Sequence, residues 1–144
     1  MGTKSEMATE NYPGSFNCAQ STLMMFAEDY GIDREAALRI GAGLGGGCHF
    51  GEICGAASAG AAVVGMKYGH TKPDPEQYAI CRGKAKEFIG RFKDENGAVS
   101  CRDILGFDIT EPGGRERALE LNLFNTRCKK MIVSAVNILE ELGY

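Results

Sequence analysis

Apolar residues recur at helical spacing along most of the chain. Leu23, Phe26, Ala27 and Tyr30 share one helical face, predicting a helix from about Cys18 to Tyr30 that Gly31 stops. Asp33 is placed to cap a second helix carrying Ala36, Ala37, Ile40 and Leu44, which dissolves into the run Gly41 to Gly47. From about Ile53 to Tyr68 most positions are Ala or Gly, so neighbours can approach closely on every side and the helix is expected to be central. Asp74-Pro75-Glu76-Gln77 opens a fourth helix, with an acid cap and Pro at the first turn. Its stripe is Tyr78, Cys81, Ala85, Phe88, Ile89 and Phe92, and it should reach about Lys93 before Asn96-Gly97 breaks it. A short helix over Cys101 to about Leu105 and a brief helical stretch near Arg115 to Phe124 follow. The last amphipathic helix runs from Thr126 to Leu142, with Met131, Ile132, Ala135, Ile138, Leu139 and Leu142 on one side.

No run alternates with the period of a strand. The pattern predicts an all-α fold: a compact bundle of five or six helices, with a glycine-rich loop before a central Ala/Gly-rich helix. Residues 1–14 are polar and end in Pro13-Gly14, so they read as a flexible N-terminal arm, and residues 15–144 as a single cysteine-rich domain.

The helix starts carry the candidate chemistry. Asn17-Cys18-Ala19-Gln20 is a capping box that puts Cys18 at the first helical position, and Ser100-Cys101-Arg102-Asp103 does the same for Cys101 with an acid in place of Gln. Thr126 as a cap places Cys128 at the second position of the last helix, and Cys54 follows the glycine run and the turn His49-Phe50-Gly51. A thiol in a first turn faces unpaired backbone N–H groups and the positive end of the helix dipole, which stabilises its thiolate. Buried cysteine is more often a small hydrophobe, and Cys81, in phase with its stripe, is read that way. Four cysteines at helix starts are harder to explain by packing, which has no preference for first turns. Cys48, in the glycine loop beside His49, is a second redox candidate, while His70 reads as an exposed residue at a helix end.

Composition narrows the options. At 144 residues the chain can bury a core without cross-links. The net charge of −3 with interspersed signs lacks the basic footprint of a nucleic-acid binder. Ile53 to Met66, an uncharged and mostly Ala/Gly stretch, is too short for the ~20 residues of a membrane span. The first ten residues lack the apolar core of a signal peptide, and Glu6 stands where a myristoylation signal needs Ser or Thr, so a reducing cytoplasm is expected. There, cysteine clusters more often bind metal or do redox work than form structural bridges.

The intervals between Cys18, Cys54, Cys101 and Cys128 are 36, 47 and 27 residues, unlike the paired arms of zinc ribbons or the clustered cysteines of ferredoxins. Any shared centre must form by tertiary convergence, and three chemistries suit it: an iron–sulfur cluster, zinc, or pairs of thiols forming reversible disulfides. Gly45, Gly46 and Gly47 could turn several N–H groups toward such a centre, or merely permit a close helix crossing. A phosphate loop is disfavoured, since the Gly-Lys-Ser/Thr ending and a preceding strand are both missing.

With Asn17-Cys-Ala-Gln20, Gly45-Gly-Gly-Cys-His-Phe-Gly-Glu-Ile-Cys-Gly-Ala56, Cys101-Arg-Asp-Ile-Leu-Gly106 and Thr126-Arg-Cys128, the chain resembles the C_GCAxxG_C_C family of redox-active proteins. The likeness extends over essentially everything after the N-terminal arm. Its four hallmark cysteines correspond to Cys18, Cys54, Cys101 and Cys128, and it implies an α-helical fold and a redox role. The chain departs from it at Ala59, where the family has Gly; Gly60 follows. It is also similar, more distantly, to the part of split-Soret cytochromes that carries a non-haem iron centre. The leading expectation is an oxidoreductase or electron carrier in which the four cysteines ligate an iron–sulfur cluster, near Gly45, Gly46, Gly47 and Gly55, and exchange electrons with a partner protein. The alternatives are a metal-free thiol–disulfide protein, with Cys54 attacking and Cys48, Cys18 or Cys101 resolving, and a non-catalytic domain held by zinc. Self-association is a further option.

Overall fold

The computed structural model describes residues 3–144; Met1 and Gly2, the first two positions of the expected arm, lie outside the described residues. Among these the fold is all-α, with eight helices: α1 Lys4–Thr9, α2 Cys18–Leu23, α3 Arg34–Ala42, α4 Gly55–Tyr68, α5 Pro75–Asn96, α6 Cys101–Leu105, α7 Gly114–Glu120 and α8 Lys129–Glu141. No described helix is long and apolar enough to cross a membrane.

The central position expected for the Ala/Gly-rich helix is observed. Helix α4 packs against α2, α5 and α8, and Gly55, Ala56, Ala57, Ala59, Gly60, Val63 and Val64 are all buried. Small residues set these crossings. A Cβ on Gly60 would run into the ring of Phe88, which is fully buried on α5 together with Phe92. Burying a phenylalanine of this kind contributes roughly 2–3 kcal/mol, so the missing side chain on α4 is matched by a large one on its neighbour. Helix α8 completes the core with Met131, Ile132, Ala135, Val136, Ile138 and Leu139.

The caps read from the sequence are in place at four starts. Asn17, Asp33, Asp74 and Ser100 each accept a hydrogen bond from the N–H three residues on, at 2.9, 2.8, 3.0 and 3.1 Å. Elsewhere the chain differs from expectation. The helix expected from Cys18 to Tyr30 ends at Leu23 and resumes as a 3₁₀ turn over Ala27–Tyr30, closed by Gly31 at φ 80°. The Thr22 hydroxyl donates to the Cys18 carbonyl at 2.8 Å, and the Met25 and Phe26 N–H groups turn to carbonyls three residues back, tightening the chain. Ile40, counted on a buried face, is 48% exposed. The last helix is not capped by Thr126, whose hydroxyl donates to the Asn122 carbonyl instead. The chain enters it through a wide turn, Phe124–Cys128, in which the Lys129 N–H reaches back to Phe124.

Within the described part of the expected arm, residues 3–14, the chain forms α1, which lies along α8 with Ala8 buried. Lys4 pairs with Asp29 at 3.3 Å and sits 4.3 Å from the centre of the Phe26 ring. A helix of six residues has no stability of its own, so docking rather than propensity forms it.

Candidate functional site: a cysteine-lined cavity

Three local devices bring distant cysteines to one end of the bundle. First, the capping box at Asn17 fixes the start of α2, and its side chains also tie α2 to the end of α3: the Asn17 amide donates to the Gly41 carbonyl at 3.3 Å and the Gln20 amide to Leu38 at 3.0 Å. Second, the segments leading to Cys54 and Cys101 pair as a single antiparallel bridge, Ile53 with Ser100. The Cys54 N–H donates to Val99 at 2.8 Å and the Cys101 N–H to Glu52 at 2.6 Å, while Arg102 and Glu52 form an ion pair beside them. Third, α2 meets α4 at a glycine: a Cβ on Gly55 would lie 2.5 Å from the Cys18 sulfur.

The glycine run between α3 and α4 does two jobs. Gly41 and Gly45 are steric, since a Cβ there would meet Gln20 at 2.9 Å and Asn17 at 2.5 Å. Beyond them the backbone makes a left-handed turn, with φ of 61, 67, 57 and 56° at Gly46, Gly47, Cys48 and His49. Two of these are not glycine, at about 1–2 kcal/mol each. The turn is held by the His49 ring, whose Nε2 donates to the Ala42 carbonyl at 2.8 Å, and by the Glu52 N–H on the Gly47 carbonyl at 3.0 Å. Its result is to direct the Gly46 N–H at the Cys18 sulfur.

Cys18, Cys54, Cys101 and Cys128 all line one cavity of about 490 Å³. Its remaining wall is mixed: Leu105, Ile109, Phe124 and Met131 are apolar, Tyr12, Asn17, His49, Thr110 and Arg115 are polar, and Gly46 and Gly55 lie among them. The other two cysteines lie elsewhere: Cys48 is exposed and Cys81 is half-buried against the core. All six thiols are free.

The four thiols differ electrostatically. Cys18 and Cys54 are hydrogen-bonded to each other, and this contact, helped by the N–H groups of Gly46, Ala19 and Gly55 and opposed by burial, lowers Cys18 to about 7. Cys54 is pushed well above its ordinary value by the same contact and by burial, against the N–H groups of Ala56 and Ala57. Within this coupled pair, thiolate character leans toward Cys18. The reason is the count of donors: Cys18 opens a capped helix and receives two further N–H groups from the α4 side, whereas Cys54 precedes its helix as an uncapped residue. Burial raises Cys101 to about 12, with the charges of Cys128, Cys18 and Asp108 adding to it. Burial likewise raises Cys128 to about 11, opposed by a hydrogen bond with the Tyr12 hydroxyl. Cys54, Cys101 and Cys128 thus all sense the charge of Cys18, as groups lining one cavity do.

Tyr12 is the site residue that sequence reasoning missed. It is 8% exposed, and its phenol is held neutral first by burial and then by Cys128 and Cys18. It stands in a polar segment, and the one signal available there is an aromatic side chain shortly ahead of a cysteine-bearing helix start.

The donors suit a soft metal centre, with four sulfurs lining one cavity and backbone N–H groups serving two of them. Among the described residues no three His, Cys, Asp or Glu side chains close into a group that could hold a single metal ion.

The fold and the cavity define a helical protein organised around cysteines contributed by separate segments. The chain belongs to the C_GCAxxG_C_C family: the family model, described as "Putative redox-active protein (C_GCAxxG_C_C)", matches residues 16–142, as the resemblance in the sequence implied. No curated protein and no solved structure matches the chain.

Proposed function

We propose that the cavity is a redox centre in which Cys18, Cys54, Cys101 and Cys128 hold an iron–sulfur cluster and serve one-electron exchange with a partner protein. The observation that carries this reading is the placement of four cysteines, from four separate segments, around one cavity of about 490 Å³. Core packing or a single disulfide would need only two of them together. Such a cluster supplies reversible one-electron chemistry when bound. The chain's own part is to offer thiolate character at Cys18, to direct the N–H groups of Gly46, Ala19, Gly55, Ala56 and Ala57 at the sulfurs, and to keep water from the far wall with Leu105, Phe124 and Met131.

Anaerobic purification followed by visible spectroscopy and iron and sulfide analysis tests the reading. A brown protein whose iron and sulfide are lost in Cys101→Ser is the expected result. Colourless protein without iron, whose Cys101→Ser variant behaves identically, overturns it.

One observation favours a second reading. The Cys18–Cys54 contact is that of a dithiol pair, whose oxidation would join the two sulfurs and pass two electrons and two protons to a partner disulfide, opening it to two thiols. Metal-free protein in which peptide mapping finds a Cys18–Cys54 disulfide would establish it.

A further inference from the structure

The four cavity cysteines are not supplied with hydrogen bonds in the same way. Cys18 and Cys54 are served by backbone N–H groups at the starts of α2 and α4. Cys128 lies in the wide turn before α8, where the chain's N–H groups are already engaged: that of Lys129 goes to Phe124 and Thr126. A donor is at hand from the far end of the sequence. The Tyr12 side chain is buried and lines the same cavity as Cys128, and its hydroxyl acts on that thiol against the upward push of burial.

The segment carrying Tyr12 is built to hold it there. Thr3 caps α1, Ala8 is buried against the bundle, and Lys4 anchors the helix through Asp29 and the Phe26 ring. The chain then folds back in a turn, with the Tyr12 N–H on the Thr9 carbonyl at 3.3 Å and the Ser15 N–H on the Asn11 carbonyl at 2.8 Å. All of this precedes residue 16, where the family match begins. A buried phenol needs a partner for its hydroxyl, and here the partner is a cysteine of the site.

We infer that Tyr12 is a positioning residue of the redox centre, whose hydroxyl donates to the Cys128 sulfur and raises the reduction potential of the centre. The inference rests on the proposed redox role of the cavity. A donor to sulfur offsets negative charge and so stabilises the more reduced state, whether the reduced species is a cluster or a thiolate. Removing it shifts the oxidised-to-reduced equilibrium about tenfold toward oxidation, a midpoint lower by about 59 mV for one electron or about 30 mV for two.

The test is a mediated redox titration of the protein as purified anaerobically, followed by visible absorbance and by thiol labelling, for the unsubstituted chain and for Tyr12→Phe. Far-UV circular dichroism on the same samples checks the fold. A folded Tyr12→Phe with the lowered midpoint supports the inference. Replacing Tyr12 with 3,5-difluorotyrosine keeps the ring, sharpens the donor and is expected to raise the midpoint; it carries the test should Tyr12→Phe not fold. A couple present in the unsubstituted protein but unmoved in the folded variants overturns this role and leaves the redox reading standing. Absence of any reversible couple in the unsubstituted protein overturns both.

Discussion

Gly55→Ala probes the junction of fold and site. The added methyl would stand 2.5 Å from the Cys18 sulfur, 3.1 Å from the Leu44 carbonyl oxygen and 3.2 Å from the Ala19 methyl, where ordinary contacts are about 3.5–4.0 Å. With neighbours on three sides, either α2 and α4 separate or the Cys18 side chain turns away from the Gly46 N–H. Overpacking of this size costs about 1–3 kcal/mol, and the gain from replacing a helical glycine offsets about 0.5–1 kcal/mol of it, leaving a net loss of roughly 1–2 kcal/mol. For a chain of this length that corresponds to about 3–7 °C in Tm. Gly83→Ala is the control. That glycine lies inside α5 with nothing within 4 Å of an added Cβ, so the same chemical change should raise stability by about 0.5–1 kcal/mol. Thermal unfolding followed by circular dichroism gives both numbers, and peptide mapping after iodoacetamide treatment of the reduced protein reports Cys18, whose alkylation should change in Gly55→Ala alone. If Gly55→Ala melts at or above the unsubstituted protein with Cys18 unchanged, the close contact of α2 with α4 is not what shapes the site.

Two further outcomes follow from the same geometry. Cys54→Ser should abolish iron loading or disulfide capacity, while Cys81→Ala, a small truncation at the edge of the core, should cost on the order of 1 kcal/mol and leave both intact; elemental analysis and thiol counting read the difference. In the reduced, metal-free protein, Cys101 and Cys128 are raised to about 12 and about 11, so the stability they confer is present below the unfolded thiol value of about 8.5 and lost as pH rises through those folded values. Cys18, lowered to about 7, acts oppositely: its contribution is present above the unfolded value and lost as pH falls through about 7. Urea midpoints from about pH 6 to pH 10 should therefore fall on the alkaline side, less so in Cys101→Ala, and an alkaline limb identical in that variant would refute the buried-thiol assignment.

The parts of the fold written in local chemistry were legible. Asn17 with Gln20, Ser100 with Asp103 and Asp74 with Pro75 act within three residues of themselves, so Cys18 and Cys101 stand where the caps put them. The central place of α4 was equally visible, because Ala and Gly leave few other ways to bury a helix. What escaped depends on distant partners. Helix α1 forms only by docking on α8, the wide turn before α8 moves Cys128 out of the first turn assigned to it, and the N–H groups that favour thiolate character at Cys18 arrive from Gly46 and Gly55. The glycine run was open to two readings, a close crossing or a donor loop, and the structure divides it between them, with Gly41 and Gly45 serving the first and Gly46 the second.

The single bridge between Ile53 and Ser100 sets an order of events in the life of the chain. It is the only tie of strand type among the described residues, and it joins segments nearly fifty positions apart, while the remaining walls come from Tyr12 near one end and Cys128 near the other. Contacts of such separation are the last to be made, since the loops they close must be ordered first. A chain emerging from synthesis would thus carry four unshielded thiols until α8 docks, and the cavity would exist only in molecules that have finished folding. A cluster of the kind proposed would have to be inserted at that moment, or its thiols guarded until it arrives.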